Sequence, residues 1–114
     1  MNHQEIFEKV KAHLLSQNAK SLTEDGMCAY RGVGGLKCAV GCLISDDVYQ
    51  PEMENHNVYY PEVEDALRDS GVKFNVERHE SLNFFRELQA IHDGYPCSEW
   101  AKELETLRAK WGLQ

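Results

Sequence analysis

The segment MCAYRGVGGLKCAVGCLI, residues 27 to 44, gathers three cysteines and four glycines around only two charged side chains, Arg31 and Lys37. So few charges and so many small residues require a tightly built structure there: an apolar hairpin, a metal site or a thiol site. Turn glycines, Gly32 to Gly35, separate two short β-compatible runs, which predicts a hairpin over residues 28 to 38. If pairing is centred on Val33, Cys28 faces Cys38 and Tyr30 faces Leu36, and a slip of one residue destroys both matches. The run from Ala39 to Ile44 that follows is buried in character, and we read it as a short helix whose small residues pack closely against a neighbour.

The remainder of the chain carries helical periodicity. Ile6, Val10 and Leu14 recur every four residues, with Phe7 and Leu15 widening the stripe, so residues 3 to 19 are predicted as an amphipathic helix. Pro61 suits the first turn of a helix running to about Ser70, with Gly71 as its stop. Val72 to Val76 is compatible with a short strand. Leu82, Phe84, Phe85, Leu88 and Ile91 mark a helix from about Glu80 to near Gly94. Pro96 and Ser98 introduce a last helix, whose stripe of Trp100, Leu104, Leu107 and Trp111 is expected to dock on the preceding one. The predicted fold is therefore α+β, mainly α, with residues 1 to 114 forming one compact helical domain and a small β-hairpin near residues 28 to 38.

A chain of 114 residues can bury roughly two thirds of the surface its unfolded form exposes. Folding needs neither a disulfide nor a metal. No apolar run approaches the length of about 20 residues that a membrane span requires. The start, MNHQEIFEKV, lacks the basic end and apolar stretch of a secretory signal. We therefore expect a cytoplasmic protein, its cysteines reduced.

The net charge of −7 is localised. Between Cys38 and Leu67 stand seven acidic residues, Asp46, Asp47, Glu52, Glu54, Glu62, Glu64 and Asp65, and neither Lys nor Arg; the rest of the chain balances 12 basic against 12 acidic residues. Such a field repels phosphate backbones and disfavours direct nucleic-acid binding. A basic protein surface is the natural complement. Tyr49, Met53, Tyr59 and Tyr60 interleave the carboxylates, and aromatic residues and Met are enriched at interface cores. The expected partner-binding set is Asp47, Tyr49, Glu52, Met53, Glu54, Tyr59, Tyr60, Glu62 and Glu64, with a merely solvated acidic surface as the plainer alternative. The calcium-loop pattern is absent.

Other chemistry is thinner. Cys28, Cys38 and Cys42 could give three thiolates to zinc, with Cys97 or a histidine as fourth ligand, but the paired knuckle spacing of structural zinc sites is missing. Small core side chains account for the same cysteines without a metal. A thiol nucleophile needs a base and an orienting group, and His92 with Asp93 is the one suggestive pair. Adjacent residues on a helix diverge, so Asp93 is expected to be poorly placed to orient His92, which then reads as a partly buried histidine whose ring nitrogen satisfies a backbone or carboxylate group near the helix end. The glycines of residues 32 to 35 lack the Walker lysine and hydroxyl. Arg31 and Lys37 flank that turn as an anion-binding candidate, or as partners in a local salt bridge to the acidic stretch.

The order Cys28-x-Tyr30-Arg31-Gly32, then Gly35-x-Lys37-Cys38-Ala39-x-Gly41-x-Leu43-Ile44-x-Asp46, resembles a family of small uncharacterised proteins of bacteria and bacteriophages. Leu88-Gln89-x-x-His92-Asp93 followed by Trp100 is similar to the second hallmark of that family. The resemblance implies one compact domain in a bacterial or viral setting, and brings no catalytic residue or cofactor with it. The chain is thus expected to be a small acidic interaction protein without catalysis or cofactor, such as a phage accessory factor or inhibitor on a basic host surface. The alternatives are a zinc-stabilised binding module and a thiol-dependent enzyme.

Overall fold

The computed structural model describes residues 1–74 and 78–114. Helix α1 spans His3–Gln17, α2 Pro61–Asp69, α3 Arg78–Gly94 and α4 Trp100–Lys110. Asn2 starts α1 with a capping box: its side chain accepts the Glu5 N–H at 2.9 Å, and the Glu5 carboxylate accepts the Asn2 N–H at 3.1 Å. The helix ends two residues before the predicted limit because Asn18 turns left-handed, at φ 47°, and sends its N–H back to Leu14. Ile6, Phe7, Val10 and Leu14 are fully buried, whereas Leu15 lies outside the stripe and is exposed.

Pro61 opens α2 as expected. Its end is a Schellman motif, with Gly71 N–H on Arg68 and Val72 N–H on Leu67, which requires the left-handed φ of 90° that glycine adopts at Gly71. Val72, the residue after the stop, is buried with Leu67. Residues Val72 to Phe74 are neither strand nor helix, and the rest of the predicted strand, Asn75 and Val76, lies outside the described residues.

Helices α3 and α4 pack on each other and on α1. Leu82, Phe84, Phe85, Leu88 and Ile91 of α3 meet Trp100, Leu104 and Leu107 of α4 in one core. Trp111 falls just beyond α4, with its ring 5.1 Å from that of Phe84. The Trp100 indole N–H, which burial would otherwise strand, donates to the Tyr95 carbonyl at 3.0 Å.

The predicted α+β class is overturned: among the described residues the chain is all-helical, and residues 28 to 38 form no β-hairpin. The accounting of backbone hydrogen bonds explains why. Cys28 pairs with Leu22 in an isolated antiparallel bridge, not with Cys38. Ala29 N–H goes to the Ser21 carbonyl and Val33 N–H to that of Leu22. Gly32 N–H closes locally on the Leu36 carbonyl, and other groups that a hairpin would have paired are taken by distant side chains. Glu54 accepts the N–H groups of Tyr30 and Arg31, Gln17 accepts that of Lys37, and His13 and Gln17 both donate to the Lys37 carbonyl. Val33 to Gly35 wind a single turn, and Gly41 to Leu43 form the short helical turn expected of the apolar run. Its small residue is essential there, because a Cβ on Gly41 would stand 2.4 Å from the Tyr30 carbonyl oxygen.

Candidate functional site

A cleft of about 730 Å³ opens between α3 and the loop from Glu54 to Val58, floored by residues 27 to 30 and Cys38. One face of α3 forms its wall: Arg86, Gln89, Ala90 and Asp93 recur at helical spacing along it. Most of the lining is apolar, with Met27 exposed at the lip. Residues 28 to 46 and residues 88 to 100 meet here. Gln89 accepts the Val40 N–H at 2.9 Å and donates to Asp93 at 2.7 Å, while Cys28 approaches Asp93 across the cleft floor.

His92 is fully buried and stacked on Trp100, with 5.4 Å between ring centroids. Its Nε2 faces the N–H of Ser21 at 2.9 Å. A backbone N–H can only donate, so Nε2 is the acceptor and the neutral ring carries its proton on Nδ1. That proton is donated to Asp93 Oδ1 at 2.7 Å. Asp93 therefore does orient His92, contrary to the expectation from helix geometry. Neighbouring side chains on a helix diverge by about 100°, but Nδ1 is the ring nitrogen nearest its own backbone, and a short carboxylate on the next residue reaches it. Burial opposes the charge on Asp93, but donors from His92, Gln89 and Cys28 together hold its carboxyl below the usual range.

This arrangement is poorly suited to nucleophilic catalysis. Both nitrogens of His92 are engaged, and the Cys28 thiol is pushed up to about 11, first by burial and then by its hydrogen bond to Asp93. A thiol with that pKa is almost wholly protonated at neutral pH. Cys42 is likewise raised to about 11 by burial, against the nearby Lys9, Lys37 and Arg31, and burial pushes Cys38 up further. Cys38 accepts the Gly41 N–H at 3.3 Å, and Cys42 donates to the Ala39 carbonyl at 3.1 Å.

Among the described residues, the potential ligands that cluster are Cys28, His92 and Asp93, with their ligand atoms within 4.8 Å of one another. Cys38 and Cys42 do not belong to that group, which therefore differs from the three-thiolate set kept as an alternative. The donor set suits a metal badly. A neutral imidazole that ligates through Nδ1 carries its proton on Nε2, where it would confront the Ser21 N–H donor to donor.

The acidic stretch divides into two kinds of residue. Met53 is core, 1% exposed. Glu64 is buried in a bidentate pair with Arg78, at 2.5 and 2.7 Å, and also meets Arg68. Glu54 accepts the Tyr49 hydroxyl in addition to its two backbone donors. Tyr49 is half-buried beneath the Arg31 guanidinium, and Tyr60 stacks on His56 at 3.7 Å. Asp47, Glu52, Glu62 and Asp65 are exposed, as is Tyr59. Arg31 and Lys37 converge on Asp46, at 3.0 and 3.4 Å, and Arg31 also donates to the Gly41 and Ile44 carbonyls. The guanidinium is thus committed to holding the turn together.

Ser21 and Gln17 organise this region although their sequence neighbourhoods did not single them out for it, and Gln89, quoted only within the Leu88 to Asp93 pattern, joins them. Ser21 shares one hydroxyl proton between the Ala29 and Leu36 carbonyls, at 2.8 and 3.1 Å. Nothing short-range in the sequence signals such long-range pairings.

Comparison with family models, with curated proteins and with solved structures finds no match to this chain. No described helix is long and apolar enough to cross a membrane.

Proposed function

We propose that this chain is a small acidic interaction protein of the cytoplasm, without catalytic chemistry of its own, that binds a basic surface on a partner protein. In the bacterial or viral setting suggested by its sequence pattern, an accessory factor or inhibitor acting on a host protein fits this role. The observation that carries the reading is the set of spare carboxylates. Asp47, Glu52, Glu62 and Asp65 are exposed and make no ion pair with a described residue. Tyr59, 38% exposed, adds apolar contact area beside them in sequence. His92, the base that a thiol nucleophile would need, has both ring nitrogens engaged, by the Ser21 N–H and by Asp93.

Capture from a bacterial lysate, followed by kinetics with the purified partner, tests this. The partner is expected to be basic, and raising salt should slow association more than it hastens dissociation. Reversing Asp47, Glu52 and Glu62 to Lys should weaken binding and leave the fold intact, since all three are solvated. Unchanged affinity and unchanged salt dependence in that triple variant would reduce the acidic stretch to ordinary surface.

A further inference from the structure

We infer that the cleft between α3 and residues 54 to 58 is the receptor for an arginine side chain displayed by the partner. This deepens the proposed function and rests on its assumption of a basic partner. The volume, about 730 Å³, falls within the range of roughly 300 to 1,000 Å³ typical of ligand sites. It accommodates one long side chain with its neighbours.

Charge selects the occupant. Two carboxylates, Asp93 and Glu54, line an otherwise largely apolar cleft. Each is held by uncharged donors: backbone N–H groups and a phenol for Glu54, and an amide, a thiol and the Nδ1–H of His92 for Asp93. Both N–H donors to Asp93 fall on Oδ1, so Oδ2 receives no N–H from a described residue, and the side chain is 40% exposed. Two cations border the site: Arg86 is shared with a second depression lined by Glu80 and Glu87, and Lys20 donates to the Asp93 backbone carbonyl at 3.3 Å without an ion pair to its carboxylate. The site therefore offers apolar surface from Met27, Ala29, Cys38 and Val58 to a hydrocarbon stem and a fixed anion to its tip. Arginine fits better than lysine, because its guanidinium is more weakly hydrated and loses less on entering an apolar cleft.

The test is an NMR titration of the intact, isotopically labelled chain with N-acetyl-arginine methylamide, alongside the uncharged isostere N-acetyl-citrulline methylamide. The arginine probe is expected to shift the amide signals of Cys28, Val58, Ala90 and Asp93 saturably, and the citrulline probe at least tenfold more weakly. Ala90→Phe, at an exposed position on the cleft wall, should block the arginine shifts while leaving the rest of the spectrum native. Equal response to both probes, or saturable shifts elsewhere only, overturns the inference. Spermidine filling the cleft at lower concentration than the arginine probe overturns the assignment to a protein side chain. If the arginine probe fails but the triple charge reversal still abolishes partner binding, the cleft inference alone falls. If the probe fills the cleft and the triple variant binds its partner unchanged, the acidic-surface reading alone falls.

Discussion

The backbone N–H of Ser21 donates to Nε2 of His92 at 2.9 Å, and both residues are fully buried. This bond joins the end of α3 to the stretch that leads into the cysteine-rich segment, 71 residues away in sequence. Replacing His92 by Phe retains a ring against Trp100 but leaves the Ser21 N–H without an acceptor. Such an orphaned buried group costs about 1 to 3 kcal/mol. Urea denaturation of His92→Phe should show a loss of that size, and a loss within the roughly 0.5 kcal/mol typical of surface sites would mean that the bond contributes nothing.

The state of Cys28 is open to direct chemistry. With the thiol raised from 9.0 to about 11, its thiolate fraction at mildly alkaline pH is about 100-fold below that of an ordinary cysteine, and iodoacetamide should react correspondingly slowly. Asp93→Asn removes a charge that helps to raise the thiol, so alkylation of that variant should be faster. Alkylation of wild-type Cys28 at the rate of a free thiol would contradict the burial and the Asp93 hydrogen bond that together raise it.

The four helices were legible because their stripes obey one local rule: Ile6, Val10 and Leu14 in α1, or Trp100, Leu104 and Leu107 in α4, mark the buried face without reference to the rest of the chain. Residues 27 to 44 were not legible for the opposite reason. Their glycines allow a hairpin turn, but whether Lys37 pairs with a strand or with Gln17 depends on a residue 20 positions away. Total charge between residues 46 and 65 was likewise plain, whereas the withdrawal of Glu54 and Glu64 into the structure was not. That depended on Tyr30, Arg31, Arg68 and Arg78 arriving beside them. His92 was recognisable as a partly buried histidine at a helix end, whereas its complete burial and its partners Ser21 and Asp93 became visible only in three dimensions.

Glu64 gives the fold an acid-sensitive fastening. Hydrogen bonds from Arg78, working against burial and aided by Arg68, hold its carboxyl below the usual glutamate range in the folded chain. A carboxyl depressed by folding stabilises fully above its unfolded pKa, and that stabilisation is lost as pH falls through the lower folded value. Glu64→Gln should therefore be less stable than wild type at neutral pH, and the gap should close in acid below the ordinary carboxylate range. Urea denaturation of both proteins across that range checks this, and a gap independent of pH would show that the Arg78 pair does not govern the ionisation of Glu64.

Gly41 is where the cysteine-rich segment is least tolerant of change. Its missing side chain lets the turn from Gly41 to Leu43 press against Tyr30, whose carbonyl oxygen would lie 2.4 Å from an added Cβ. The obstacle is backbone, so no rotamer can relieve it. Relief requires moving Tyr30, which Glu54 anchors through the N–H at 2.9 Å and which floors the cleft. Gly41→Ala is accordingly expected to cost about 1 to 3 kcal/mol, the usual penalty for overpacking, and to shift the amide signals of Tyr30, Arg31 and the cleft loop. Gly94→Ala is the matched control: it lies at the end of α3 with no atom within 4 Å of an added Cβ, and should be neutral or stabilise by up to about 1 kcal/mol through the lower entropy of the unfolded chain. Equal stability of the two variants would show that the contact between Gly41 and Tyr30 does not constrain the segment.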